Sequence, residues 1–109
     1  MREISKCEEQ TMLAVWKSEE APDLQQIVSK VNATYKHEWK PQTVSTFLIR
    51  LRNKGYLTAQ KKGRYTYYYP AITLEQYRQN KIKDAVELYY GGNAVLMLEQ
   101  IEDIRKQHD

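Results

Sequence analysis

Between Gln42 and Arg64 the sequence gathers short hydrogen-bonding side chains and cations in a pattern suited to a polyanion. Gln42, Thr43, Ser45 and Thr46 come first, Arg50 follows about one helical turn later, and Lys61, Lys62 and Arg64 close the run. Amides and hydroxyls exchange hydrogen bonds with base edges, whereas lysine and arginine neutralise phosphates. The charge is concentrated here. Residues 36–67 carry eight lysines and arginines against Glu38 alone, a balance of +7, while residues 1–35 and 68–109 each come to −2. The net +3 of the whole 109-residue chain conceals this asymmetry, which points to a polyanion-facing segment. The competing reading of the same charges is a solvated basic face with no partner.

Other chemistries find little support. His37 and His108 are isolated in the sequence, and no nucleophile–base pairing, phosphate loop or metal-ligand spacing accompanies them. An enzyme is therefore not expected, nor a cofactor, nor a metal. His37, within YKHEWK, is expected at the surface. Cys7 is the only cysteine, which excludes an internal disulfide, fits a reducing compartment and suits packing at the start of a helix. No apolar run approaches the roughly 20 residues that cross a bilayer, and MREISKCEEQ has no secretory apolar core. These features place the chain in the cytoplasm.

The elements that must position the basic segment follow from periodicity and end signals. Ser5-Lys6-Cys7-Glu8 has the form of a capping box, so a first helix begins near Ser5 and buries Met12, Leu13 and Trp16, with Ala14 and Val15 widening the stripe. Pro22 suits the first turn of a second helix, whose Leu24, Ile27, Val28 and Val31 recur at i, i+3, i+4 and i+7 to about Asn32. Pro41 opens a third helix, over about 41–54, with Val44, Phe47, Leu48 and Leu51 on its inner face. Its outer face presents Gln42, Ser45, Thr46, Ile49 and Asn53, flanked by Thr43 and Arg50. Short polar groups near the start of such a helix suit entry into a major groove. Ile49 is unusual on that face, where it meets either a thymine methyl or a neighbouring element.

Gly55 ends the third helix. Tyr56–Gln60 then reads as a strand, Lys61-Lys62-Gly63-Arg64 as a turn, and Tyr65–Tyr69 as the return strand, a basic wing over about 57–69. Alternation puts Thr66 and Tyr68 on one face and Tyr65, Tyr67 and Tyr69 on the other. Core packing is expected of Tyr68 and one further tyrosine. Tyrosine-rich surfaces also stack on single strands, but the polar outer face of the third helix favours duplex DNA. The order helix, helix, helix, hairpin is that of a winged helix-turn-helix.

Beyond the wing, Thr73-Leu74-Glu75-Gln76 starts a helix to about Tyr90, Gly91-Gly92 breaks it, and Asn93 caps a last helix. Leu74, Tyr77, Ile82, Ala85, Val86 and Tyr89 on one helix, and Val95, Leu96, Leu98, Ile101 and Ile104 on the other, lack enough neighbouring core to be buried by one chain. A homodimer is the economical solution, with Tyr77, Ala85, Val86, Tyr89, Val95, Leu98 and Ile101 as its contact set. The expected fold is mostly α with a small β-hairpin. Residues 1–72 form a winged helix-turn-helix DNA-binding domain, and residues 73–109 supply C-terminal dimerisation helices.

These residues resemble the penicillinase and methicillin-resistance repressors and the copper-responsive repressors grouped with them. The resemblance rests on T-V-x-T-x-L-x-R-L at Thr43 to Leu51, N-K-G-Y-L at Asn53 to Leu57 and Y-Y-P at Tyr68 to Pro70. I-S-x-x-E at Ile4 to Glu8, Trp16 and Y-G-G at Tyr90 to Gly92 extend it over nearly the whole chain. It implies a homodimeric bacterial repressor on a palindromic operator in double-stranded DNA. Base-side contacts would come from Gln42, Thr43, Ser45 and Thr46 with Arg50 nearby, and phosphate contacts from Lys61, Lys62 and Arg64. A membrane sensor-protease is the partner the β-lactam branch implies.

Departures limit what carries over. Ser45 stands where relatives often have Arg or Lys, which implies a different operator or greater use of backbone contacts. The stretch LMLEQIEDIRKQHD has no Asn-Phe cleavage pair, and there is no C-x-C metal motif. Neither family inducer therefore transfers. The alternative from another functional class is a winged-helix protein–protein module whose basic face meets an acidic partner.

Overall fold

A computed structural model describes residues 1–108, with the order α1 (Lys6–Trp16), α2 (Leu24–Tyr35), α3 (Pro41–Asn53), β1 (Leu57–Lys62), β2 (Tyr65–Pro70), α4 (Leu74–Tyr90) and α5 (Ala94–His108). The chain divides into two compact units, Met1–Leu74 and Glu75–Asp109.

In the first unit the helices start where their caps demand. Ser5 accepts from the Glu8 N–H at 3.1 Å, and Glu8 Oε1 accepts from the Ser5 N–H at 2.7 Å, closing the box at the head of α1. At α2 the capping residue is Asp23, in a reciprocal box with Gln26. Pro22 therefore lies outside the helix rather than in its first turn, because Asp23 offers the carboxylate that the free N–H groups need. The helix also runs past Asn32 to Tyr35 and stops where Lys36 adopts the left-handed conformation, φ 57°.

Met12, Val15, Ile27, Val31, Val44, Leu48 and Leu51 interlock as the core of the three helices, each at most 2% exposed. Leu13 and Trp16 are only half-buried. Trp16 donates its indole N–H to the Ile72 carbonyl at 2.7 Å, tying α1 to the segment after the wing. Truncating a core side chain such as Leu51 to alanine costs about 2–5 kcal/mol in a site of this kind.

Gly55, at φ 84°, ends α3 in a Schellman motif. The Gly55 N–H donates to the Arg52 carbonyl at 3.0 Å and the Tyr56 N–H to the Leu51 carbonyl at 2.9 Å. This turn delivers Tyr56 into the core at 1% exposure, where its hydroxyl donates to the Arg2 carbonyl. Tyr56, more than the wing tyrosines, is the fully buried tyrosine.

The two strands pair antiparallel, Leu57 opposite Pro70 through to Lys62 opposite Tyr65. The turn is thus Gly63-Arg64 alone, with Gly63 at φ 66°, and both lysines belong to β1. A glycine at the first central position of a two-residue loop is what a type II′ turn needs to match the strand twist.

In the second unit Gly91 and Gly92, at φ 58° and 84°, end α4. The Asn93 side-chain oxygen accepts from the Leu96 N–H at 3.1 Å and starts α5. Tyr90 donates its hydroxyl to Gln100 at 2.7 Å across the break. No residue of α5 is buried. No helix among the described residues is long and apolar enough to cross a membrane.

Candidate nucleic-acid interface

Helix α3 carries the polar face, and its placement depends on the turn that precedes it. Asn32 grips Trp39 twice: its Nδ2 donates to the Trp39 carbonyl and its Oδ1 accepts from the Trp39 N–H, both at 3.0 Å. The Trp39 ring stacks on His37 at 4.0 Å and meets the edge of Phe47 on α3 at 5.2 Å. His37 Nε2 in turn bonds Gln10 Oε1 on α1 at 2.8 Å. So His37 is half-buried packing rather than the surface histidine expected from sequence, because the αL residue Lys36 turns the connector back onto α1 and α3. The turn between α2 and α3 is fastened to all three helices.

The far end of α3 is anchored as well. Lys54, its C-cap, reaches Glu8 on α1 at 2.9 Å. Glu8 is 2% exposed, and burial by itself would raise its carboxyl pKa. Hydrogen bonds from the Ser5 N–H and from Lys54 outweigh that effect, so the carboxyl titrates below its ordinary 4.5. One glutamate thus caps α1 and holds the end of α3.

Between these anchors, Gln42, Thr43, Thr46, Ile49, Arg50, Arg52 and Asn53 are exposed on α3, and Ser45 is half-buried at its flank. Thr46 Oγ1 donates to the Gln42 carbonyl at 3.0 Å, leaving the hydroxyl oxygen as an outward acceptor. Lys40, the N-cap, provides no side-chain cap, and Pro41 has no N–H. The Thr43 and Val44 N–H groups turn back onto the Lys40 carbonyl at 3.0 and 3.2 Å, so the Gln42 N–H is the first-turn donor left at the positive end of the dipole.

The wing sorts its cations by strand alternation. Register places Lys62, Tyr67 and Tyr69 on one face of the hairpin and Lys61, Ala59 and Tyr68 on the other, with Arg64 in the turn. Sequence proximity suggested one cluster, but Lys61 and Lys62 diverge. Lys62 folds back over its own face: Nζ donates to the Tyr69 hydroxyl at 2.9 Å and lies 5.6 Å and 6.0 Å from the Tyr69 and Tyr67 ring centres. The Tyr69 hydrogen bond raises the Lys62 pKa, with further electrostatic help from Tyr69 and Tyr67. Tyr68, half-buried on the inner face, has its pKa raised by burial, which Arg52 at the end of α3 partly offsets. The Tyr68 N–H donates to the Pro22 carbonyl at 3.0 Å, and Asp23 bridges Tyr67, so the loop before α2 braces the wing.

This is a winged helix-turn-helix with a polar, cation-flanked third helix. A family model described as the penicillinase repressor matches residues 4–107. The chain belongs to the penicillinase repressor family. As a member it is a DNA-binding transcriptional repressor and not an enzyme. It is 30% identical over 90 residues to the penicillinase repressor of Bacillus licheniformis, covering 83% of this chain and 68% of that one. It is 26% identical over 101 residues to the methicillin resistance regulatory protein MecI of Mammaliicoccus sciuri, covering 92% and 80%.

Among solved structures of this repressor family, the monomeric form of the Bacillus licheniformis repressor BlaI in complex with the blaP half-operator superposes with a TM-score of 0.56 at 32% identity. The match covers 70% of this chain and 89% of that one. The DNA-binding domain of BlaI gives 0.57 at 32% identity, covering 68% and 87%.

Sequence reasoning missed the residues that aim the repressor's third helix. Asn32 and Trp39 are seven positions apart, and Glu8 and Lys54 are 46 apart. No local pattern joins such partners. For Tyr56 a signal existed: the residue after a helix-ending glycine commonly packs back onto the last turn.

Proposed function

We propose that this repressor acts as a homodimer on a palindromic operator in duplex DNA, reading bases with α3 and holding the phosphate backbone with the wing. The observation that carries the reading is the exposed polar face of α3, fixed at both ends and set beside a hairpin with Lys61 and Arg64 exposed. Gln42, Thr43 and Thr46 face the bases, with Ser45 at the flank and Arg50 near the backbone. The start of α3 offers the Gln42 N–H to a phosphate oxygen. Lys61 and Arg64 supply phosphate contacts, and Lys62 reaches the backbone by leaving its tyrosine face. BlaI seen with a half-operator supports the same use of this fold.

The dimer reading is supported by the apolar surface of the second unit. On α4, Ile82, Ala85, Val86 and Tyr89 fall within an arc of about 100°, and on α5 Met97, Leu98, Ile101 and Ile104 within about 120°. Tyr89 is 74% exposed, Leu98 60% and Ile101 48%. Val95 borders the α5 arc and is exposed as well. Tyr77 stands apart, already buried in the single chain at 6% exposure and about 80° or more around α4 from that arc, so it is left out of the proposed contact.

Titration of the chain against its own upstream intergenic duplex and against a scrambled duplex tests the reading. The intergenic duplex should bind roughly 10³-fold or more tightly, and log affinity should fall with log salt at a slope near −0.9 per phosphate neutralised. Equal weak binding to both duplexes rules the reading out.

A further inference from the structure

Among the described residues of the first unit, the large apolar side chains left exposed are Met1, Ile49 and Tyr65. Met1 lies ahead of α1, and Tyr65 flanks the wing turn. Ile49 is different: it sits at 52% exposure on the outward face of α3, among Thr46, Arg50 and Asn53, with the helix's inner face already filled by Val44, Leu48 and Leu51. A β-branched residue on a solvated helix face is less favourable than alanine or a straight chain. Its stiff χ1 also holds its methyl groups in a fixed direction. The flanking Arg50 and Arg52 match a polyanion better than an apolar protein partner.

We propose that Ile49 reads the 5-methyl group of a thymine in each operator half-site, an inference that rests on the function proposed above. Apolar contact with that methyl is the groove interaction open to an aliphatic side chain. Gln42 and Ile49 are seven residues apart on one face, which is ~10 Å along the helix and about three base-pair steps of duplex at roughly 3.4 Å each. Thr46 to Ile49 spans ~4.5 Å, about one step. For a helix lying along the groove, the thymine is therefore about three pairs from the one beneath Gln42 and next to the one beneath Thr46.

The test uses the full chain and a duplex it selects from a random-sequence pool. Each thymine of one half-site is replaced in turn by deoxyuridine, which removes the methyl and leaves the pairing edge intact. At one thymine the wild-type chain should lose affinity about fourfold, the worth of one buried methyl. The I49A chain, with its melting temperature unchanged or raised, should bind both versions of that duplex equally. Neutral replacement at every thymine, or the same loss in I49A, overturns the role of Ile49 and leaves the repressor reading standing. Selection of no duplex at all overturns both.

Discussion

Glu8 shows how one side chain serves two elements. Its carboxylate completes the α1 cap and receives the Lys54 ammonium at 2.9 Å, so ionisation of Glu8 favours the folded state. Its folded pKa lies below the ordinary value of 4.5. A depressed carboxylate contributes stability above its unfolded pKa and loses it as pH falls through the folded value. Replacing Lys54 by methionine should cost about 1–3 kcal/mol at neutral pH, the penalty for a buried acceptor stripped of its partner. That difference should shrink as pH drops below the ordinary carboxylate range. Thermal melts of the two chains across acid pH check this, and a pH-independent difference would contradict the ion-pair account.

The helix-turn-helix turn is the element on which the aim of α3 depends. Asn32 satisfies both backbone groups of Trp39, and the Trp39 ring bridges His37 to Phe47. Asn32→Ala strands those half-buried groups at about 1–3 kcal/mol. A domain of this size should then melt roughly 4–8 °C lower for each kcal/mol lost. Operator affinity should fall more than affinity for scrambled duplex, because base contacts need a fixed helix and phosphate contacts do not. An unchanged melting temperature would show that the turn is held by other means.

Element ends were legible in the sequence wherever the chemistry was local. Ser5 with Glu8, Asn93, and Gly55 at positive φ each announced a terminus from their own type and spacing. Pro22 misled because the neighbouring Asp23 competes for the same turn and offers a carboxylate. The wing turn was read too long because glycine and cations mark turns by composition, while pairing of Lys62 with Tyr65 is settled by the conformation of Gly63. The direction of Lys62 and the packing of His37 depend on partners from other elements, which spacing does not encode.

At the scale of the whole molecule, the proposed function assigns recognition and assembly to different units. The +7 segment lies in the first, and the uncovered aliphatic faces of α4 and α5 lie in the second. A two-fold partner covering those faces would present two α3 helices to two half-sites, which multiplies specificity without new contacts in either. The most direct test compares wild type, Thr43→Ala and Arg64→Ala on the selected operator and on scrambled duplex over a range of salt. The account predicts two chains per operator duplex, loss of discrimination but retained general binding for Thr43→Ala, and uniform weakening with a shallower salt slope for Arg64→Ala. One chain per operator, or Arg64→Ala losing discrimination while Thr43→Ala weakens both duplexes alike, would contradict it.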